Sequence, residues 1–344
     1  MEGYDKVKKL TIHINPPLRG GGRGFFMKRI CVIGGGKWGQ NHIRTLFQMG
    51  NLGGIVEANS SRLEELLKQY PVAGFSNLDE AISVGFDGYT IAAPAPLHYE
   101  IAKKLLEKGQ HVLVEKPMTL SAETSLELVE LAEKNEAQLM VGHVLLFHPA
   151  IRKIKELIDS GKIGQLYYLY STRLNLGTVR TEENVFWSFA PHDISVLDYF
   201  VGHPAEQIES KGTKFLQKNV YDYTMTQLTY PGNVHAHIFV SWLHPFKEQR
   251  LVVIGSKGMI SFDDSSAEKE IQFYDKHIEF DRGIPIKIEN PAEIIPYDKK
   301  QPLAEELRYF VENLDGKIEI ADGRSGYEVV KVLEKAQELI DEAP

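Results

Sequence analysis

Apolar positions recur along this chain with two different periods, and the change from one to the other divides it. Up to residue 142, short apolar runs alternate with stretches of helical spacing. Residues 30–33 form a strand that meets a glycine turn, and residues 40–49 are helix-compatible. Residues 54–57 form a second apolar run, and 61–69 carry Leu63, Leu66 and Leu67 on one helical face. Residues 86–93 are apolar and β-rich, 97–108 place Ile101, Leu105 and Leu106 together, and 111–114 form a short buried strand. A helix over 121–135 and a strand over 139–142 complete the series. Strands alternating with helices over about 120 residues predict a parallel sheet covered on both faces.

Beyond a helix at 149–158 the period shortens to that of strands. Residues 165–176, 223–230, 234–243, 250–254 and 259–262 alternate, with turn signals at Tyr230-Pro231-Gly232-Asn233 and Gly255-Ser256-Lys257-Gly258. A helix near 190–200 interrupts them, and helices over 303–314 and 326–340 close the chain. This predicts a large, mostly antiparallel open sheet with one solvated or partner-facing side. The first 26 residues read as a largely flexible, basic extension. A short strand at 10–14 is followed by Pro16-Pro17 and four glycines, no continuous apolar signal-peptide core is present, and Met27 is a natural start for the folded domain.

The run at 30–39, Ile-Cys-Val-Ile-Gly-Gly-Gly-Lys-Trp-Gly, turns the first strand into a candidate site. Gly34-x-Gly36-x-x-Gly39 lies between strand and helix. Gly34 allows the turn, Gly36 lets backbone approach a pyrophosphate, and Gly39 brings the helix close to the strand. The helix N-terminus favours anions. The loop, with Lys37 and Trp38, therefore predicts a dinucleotide site in a Rossmann domain. Glu57, eighteen residues past Gly39, is placed to accept the adenosine ribose hydroxyls. It would repel a 2′-phosphate, and Ala58-Asn59-Ser60-Ser61 separate it from Arg62, so NAD is expected over NADP.

Composition narrows the function without setting it. The 344 residues suffice for two domains; 43% are hydrophobic and 25% charged, and the net charge of −8 offers no basic stripe for nucleic acid. Cys31 is the sole cysteine, so neither an internal disulfide nor a cysteine metal site is expected, and a reducing cytoplasmic compartment fits. No apolar run reaches the length of a membrane span.

Three constellations carry candidate chemistry. Ala93 and Pro94 sit in a rigid turn after a buried strand, Ala92-Ala93-Pro94-Ala95-Pro96-Leu97-His98, next to the expected nicotinamide; taken alone, this is a plain turn with His98 in solvent. Glu115-Lys116-Pro117 follows another buried strand, and desolvation beside a cationic nicotinamide would lower the Lys116 pKa. Without the glycine loop the pair would read as a surface ion pair. Phe186-Trp187-Ser188-Phe189-Ala190-Pro191-His192-Asp193 looks like a helix start, with His192 a candidate acid/base and a helix-dipole role the simpler reading of Asp193.

Together these motifs, with the final Asp322-Gly323 helix, resemble the glucose–fructose oxidoreductase, inositol dehydrogenase and rhizopine catabolism family (Gfo/Idh/MocA) over about residues 27–341. The resemblance implies an α/β chain. Residues 27–146 would form a Rossmann domain with a doubly wound parallel sheet, and 318–341 would return to pack on it. Residues 147–317 would form an α+β substrate-binding and oligomerisation domain. It implies NAD(P)-dependent oxidation of sugars or cyclitols and assembly as a homodimer or homotetramer through the large sheet. Lys116 matches the family's catalytic lysine, and His192 the histidine of Asp-x-Gly-x-His-x-x-Asp. Here Ser188, Ala190 and Ser195 replace that motif's other residues, so a substrate-orienting carboxylate is missing.

The stretches Arg173-Leu174-Asn175-Leu176-Gly177 and Ser241-Trp242-Leu243-His244-Pro245-Phe246-Lys247, with the segment at 183–193, are similar to UDP-N-acetylglucosamine and UDP-N-acetylglucosaminuronate 3-dehydrogenases, which serve nucleotide-sugar pathways for surface polysaccharides. The implied substrate is a UDP-sugar. Arg173, Arg180, Lys247 and Arg250 are candidate phosphate cations, and Trp187, Ser188 and Asp193 further substrate contacts. The expected cofactor-site set is Gly34, Gly36, Lys37, Trp38, Gly39, Glu57, Ala93, Pro94, His98 and Glu115, with no metal. The sequence leaves open how Lys116 and His192 divide the proton transfer. A free-sugar or cyclitol dehydrogenase and a non-catalytic NAD-binding regulator remain the alternatives.

Overall fold

The computed structural model describes residues 27–342 except Thr178. The extension read at 1–26 lies outside the described residues.

Six strands and five helices build the first unit: β1 (Ile30–Ile33), α1 (Lys37–Met49), β2 (Leu52–Val56), α2 (Ser60–Gln69), β3 (Ala73–Phe75), α3 (Leu78–Val84), β4 (Gly88–Ile91), α4 (His98–Leu106), β5 (Val112–Glu115), α5 (Ala122–Lys134) and β6 (Leu139–Gly142). The strands pair in parallel in the order β3-β2-β1-β4-β5-β6. Every residue of β1, β4, β5 and β6 is buried, which is why these strands read as continuous apolar runs. Strand order reverses between β1 and β4, so ligands belong at the carboxyl ends of these strands.

The second unit comprises α6 (Pro149–Asp159), β7 (Leu166–Leu174), α7 (Val185–Val201), β8 (Gln207–Thr213), β9 (Tyr223–Tyr230), β10 (Val234–Ser241), β11 (Glu248–Gly255), β12 (Met259–Asp263), β13 (Ile271–Tyr274), β14 (Lys276–Asp281), β15 (Ile284–Glu289) and β16 (Glu293–Ile295), followed by α8 (Pro302–Glu312) and α9 (Gly323–Glu342). Eight strands form one sheet in the order β16-β13-β12-β11-β7-β10-β9-β8, antiparallel except where β7 runs parallel to β10. Alternate residues such as Leu169, Leu228, Ile238 and Val253 face the core with α7. On the opposite face, Tyr170 and His237 stack 5.0 Å apart at 4°, and Tyr168 and Met225 are exposed. The chain thus has the expected architecture of a Rossmann sheet followed by a mostly antiparallel open one.

The last helix returns to the first sheet. Asp322 caps it by accepting the Ser325 N–H at 2.8 Å, and the Val141 N–H donates to the Ala321 carbonyl at 2.7 Å. Gly326 makes the close approach possible: a Cβ there would lie 2.3 Å from Val141 Cγ2.

One predicted boundary is corrected. α7 starts at Val185, not near residue 190, because the Asn184 side chain accepts the Trp187 N–H at 3.0 Å and caps the helix there. Pro191 lies inside the helix rather than opening it, so His192 sits in the helix interior. Sequence pattern also missed β3, α3, β8, β13 and β16 and the β14–β15 hairpin. These are short or largely exposed and carry little periodic signal.

Candidate active site

The glycine loop has the geometry a pyrophosphate requires. Gly34 has φ +99°, and a Cβ there would lie 2.8 Å from the Ala92 carbonyl oxygen. At Gly39 a Cβ would fall 1.9 Å from the Gly34 carbonyl, so only glycine lets α1 begin against the turn. Gly36 differs: a Cβ there meets nothing within 4 Å, leaving its open side to a ligand. Gly36 caps α1 without a side-chain bond, and no acidic residue occupies the first turn. The first-turn N–H groups and the positive helix end are therefore available to an anion. Lys37 and Trp38 follow directly and are exposed.

Glu57 is buried at the end of β2, where its carboxylate accepts the Gly35 N–H and the Asn59 N–H, each at 2.8 Å. Burial pushes its carboxyl up, but these two N–H groups and Arg62 outweigh it and hold the pKa below the usual range. Arg62, remote in the linear reading, comes within 3.4 Å of this carboxylate. Part of the charge expected to reject a 2′-phosphate is thereby offset.

β5 delivers Lys116 to the sheet edge. Its Nζ donates to the Ser188 carbonyl on α7 at 3.0 Å, tying the two units together. Burial pulls the Lys116 pKa down against the attraction of Glu183 and Glu115, with Arg180 and Arg173 adding to the fall. Glu115 is no surface partner of this lysine. It is buried, and its carboxylate accepts the indole N–H of Trp38 at 2.5 Å and bonds His42 Nε2 at 2.8 Å, fastening β5 to α1. His98 is likewise not in solvent. It is buried, with one ring nitrogen 2.9 Å from the Pro117 carbonyl and the other 2.9 Å from that of Ala93. It clamps the Ala93–Pro94 turn to the lysine turn, and both its nitrogens are occupied by protein.

From α7, His192 sits near Lys116. Burial, then the charges of Lys116 and Arg173, hold the imidazole well below its usual pKa, so it is neutral at neutral pH. Trp187 packs against both hydrophobic cores, and the buried Ser188 meets Lys116 through its carbonyl. Asp193 does not serve the helix dipole. It receives Arg173 Nε and Nη2, each at 3.0 Å, and the Ser171 hydroxyl at 2.6 Å. Of the four cations singled out in the sequence, Arg173 is thus in a largely buried ion pair. Arg180 pairs with Glu183 at 2.9 Å and Arg250 with Asp263 at 3.5 Å, while Lys247 is exposed.

Sequence reasoning missed His143. It follows β6 just as Lys116 follows β5, and that shared strand-end position was the available signal. His143 is buried, neither ring nitrogen has a partner among the described residues, and its pKa is lowered to about 4, chiefly by burial. No group of three or more His, Cys, Asp or Glu among the described residues could hold a metal ion.

Comparison with known proteins places this geometry. A family model described as an oxidoreductase family with an NAD-binding Rossmann fold matches residues 28–143, and a Gfo/Idh/MocA C-terminal domain model matches 151–261. The inositol 2-dehydrogenase of Corynebacterium glutamicum is 28% identical over 194 residues, 54% of this chain and 58% of that one. The UDP-N-acetylglucosamine 3-dehydrogenase of Acidithiobacillus ferrooxidans is 26% identical over 185 residues, again 54% and 58%. The chain thus matches a little over half the length of these two relatives. A solved structure of that second enzyme superposes with a TM-score of 0.80 at 22% identity, covering 91% of this chain and 97% of the other. The WlbA dehydrogenase of Bordetella pertussis, solved with NADH and UDP-GlcNAcA, gives 0.75 at 19%, covering 92% and 97%. At such identities these two structures bear on the fold. The chain belongs to the Gfo/Idh/MocA oxidoreductase family, and its first domain is that family's NAD-binding Rossmann fold.

Proposed function

We propose that this protein is an NAD-dependent dehydrogenase that oxidises a secondary alcohol of a nucleotide-linked sugar, at carbon 3 of a UDP-N-acetylhexosamine or its uronate, in nucleotide-sugar biosynthesis. The observation that carries the reading is the position of Lys116, a desolvated ammonium at the carboxyl end of β5, held against α7 beside a neutral His192.

NAD at the glycine loop supplies the hydride acceptor. Lys116 and His192 bracket the substrate hydroxyl and hydrogen-bond its oxygen, and whichever of the two is unprotonated takes its proton as the alcohol becomes a ketone. Glu115 and His98 act behind them, fixing the two turns that present the lysine and the cofactor's reactive end. Glu57 holds the adenosine ribose and favours NAD over NADP. The match to a UDP-N-acetylglucosamine 3-dehydrogenase supports the sugar class. The match to an inositol 2-dehydrogenase supports the second reading, a cyclitol or free-sugar enzyme. Turnover of a panel of UDP-sugars, free sugars and inositols separates them.

The exposed aromatic face of the large sheet, with Tyr168, Tyr170, Met225 and His237, is the surface through which two or four copies assemble in this reading. No helix among the described residues is long and apolar enough to cross a membrane.

A further inference from the structure

An open cleft of about 500 Å³ lies where α1 meets the segment leading into α8. Trp38 and Arg44 line it from α1, and Lys269, Tyr297, Lys299 and Lys300 from the second unit, while Asp264 is its single lining carboxylate. In a chain of net charge −8, four cations against one acid make a local reversal of sign, which is what an anionic ligand needs in order to be drawn in. Lys269 is bound to Asp264 at 2.7 Å, and Lys300 stands 3.9 Å from Glu305. The other two have only neutral acceptors: Arg44 donates to the Asn41 side chain at 2.9 Å and Lys299 to the Glu268 carbonyl at 3.0 Å. Neither has a carboxylate partner among the described residues. The exposed Trp38 indole and the half-buried Tyr297 ring beside free cations suit a ligand with both an aromatic base and phosphates.

The cleft adjoins the active site. Trp38 forms part of its wall, and the same indole donates to Glu115, the residue before Lys116. Leu145 and His148 line the cleft and also the small cavity around the Arg173–Asp193 ion pair on α7. A volume of about 500 Å³ falls within the range of small-molecule sites, roughly 300–1,000 Å³.

We propose that this cleft, rather than Arg173 and Arg250, holds the nucleoside diphosphate end of the substrate, with Arg44 and Lys299 bonding the phosphates and the Trp38 and Tyr297 rings flanking the base. The proposal rests on the UDP-sugar reading above. It moves the phosphate site away from arginines already held in ion pairs and onto cations that are free to bind.

The test is calorimetric titration of UDP into the full chain in saturating NAD, comparing the native protein with Arg44→Ala/Lys299→Ala and with Lys247→Ala/Arg250→Ala. Both pairs are surface residues, and an unchanged melting temperature verifies folding. Loss of two charge-assisted bonds should weaken UDP binding by at least about tenfold in the first variant, leaving the second variant and the NAD affinity unchanged. If UDP binds the native protein and the first variant equally, the cleft is not the subsite and the substrate reading stands. If weakening appears in the second variant instead, the phosphates lie on Lys247 and Arg250. If UDP does not bind the native protein at all, the substrate reading fails and takes this proposal with it.

Discussion

Lys116 Nζ donates to the Ser188 carbonyl at 3.0 Å, so the lysine proposed to carry the chemistry is also a tether between the Rossmann sheet and α7. Pro191, inside that helix, lacks the N–H that would bond the Trp187 carbonyl, one residue before the carbonyl that Lys116 reaches. The tether raises the question of whether Lys116 works in folding or in chemistry.

Lys116→Ala should cut turnover by roughly two orders of magnitude or more while leaving the melting temperature nearly unchanged. One hydrogen bond to a neutral acceptor is lost, but so is the cost of burying an ammonium. Because its folded pKa is depressed, the native state binds fewer protons than the unfolded chain between the two values. The lysine's contribution to stability therefore rises with pH through that window. Thermal melts of Lys116→Met, which keeps the volume without the charge, should show that pH slope reduced. A large fall in melting temperature with activity retained would mark a structural lysine.

Asp193→Ala should be costly for folding rather than selective for substrate. It would leave the Arg173 guanidinium largely buried and unpaired, a loss of about 3–5 kcal/mol. Urea denaturation measures this directly. A stable variant with a raised KM would restore Asp193 to the substrate contacts inferred from sequence.

His98→Ala should likewise act through position, since its two ring nitrogens each lie 2.9 Å from a backbone carbonyl. A loss of about 1–3 kcal/mol is expected, together with a lower kcat, as the two turns it joins loosen. Denaturation and kinetics on the same preparation check both parts.

Glu57→Ser should narrow the preference for NAD, because the Arg62 guanidinium now beside the carboxylate would be free for a 2′-phosphate. Dissociation constants for both cofactors, measured on the native protein and the variant, decide it. Equal affinities in the native protein would remove Glu57 as the selector.

The parts legible in the sequence were those where backbone chemistry restricts residue choice. Gly34 and Gly39 are required by a positive φ and a 1.9 Å approach, and burial on both faces makes the first strands largely apolar runs. What escaped depended on side chains meeting across sequence. Arg62 against Glu57, Asp193 against Arg173 and His98 between two carbonyls are pairings that no spacing rule reveals. The start of α7 was misread because proline usually opens a helix, whereas Asn184, seven residues earlier, supplies the cap. His143 was missed because its one signal is its place after β6, matching that of Lys116 after β5, and it stands in no charged or proline-bearing motif.

The central claim is tested most directly by NADH formation, measured with UDP-N-acetylglucosamine and its uronate against free N-acetylglucosamine and inositols, on the native protein and on Lys116→Ala. The account predicts turnover of a UDP-sugar, loss of that turnover in the variant, and little or no reaction with the free compounds. Efficient turnover of a free sugar or inositol, with no UDP-sugar reacting or shifting the melting temperature, would contradict it.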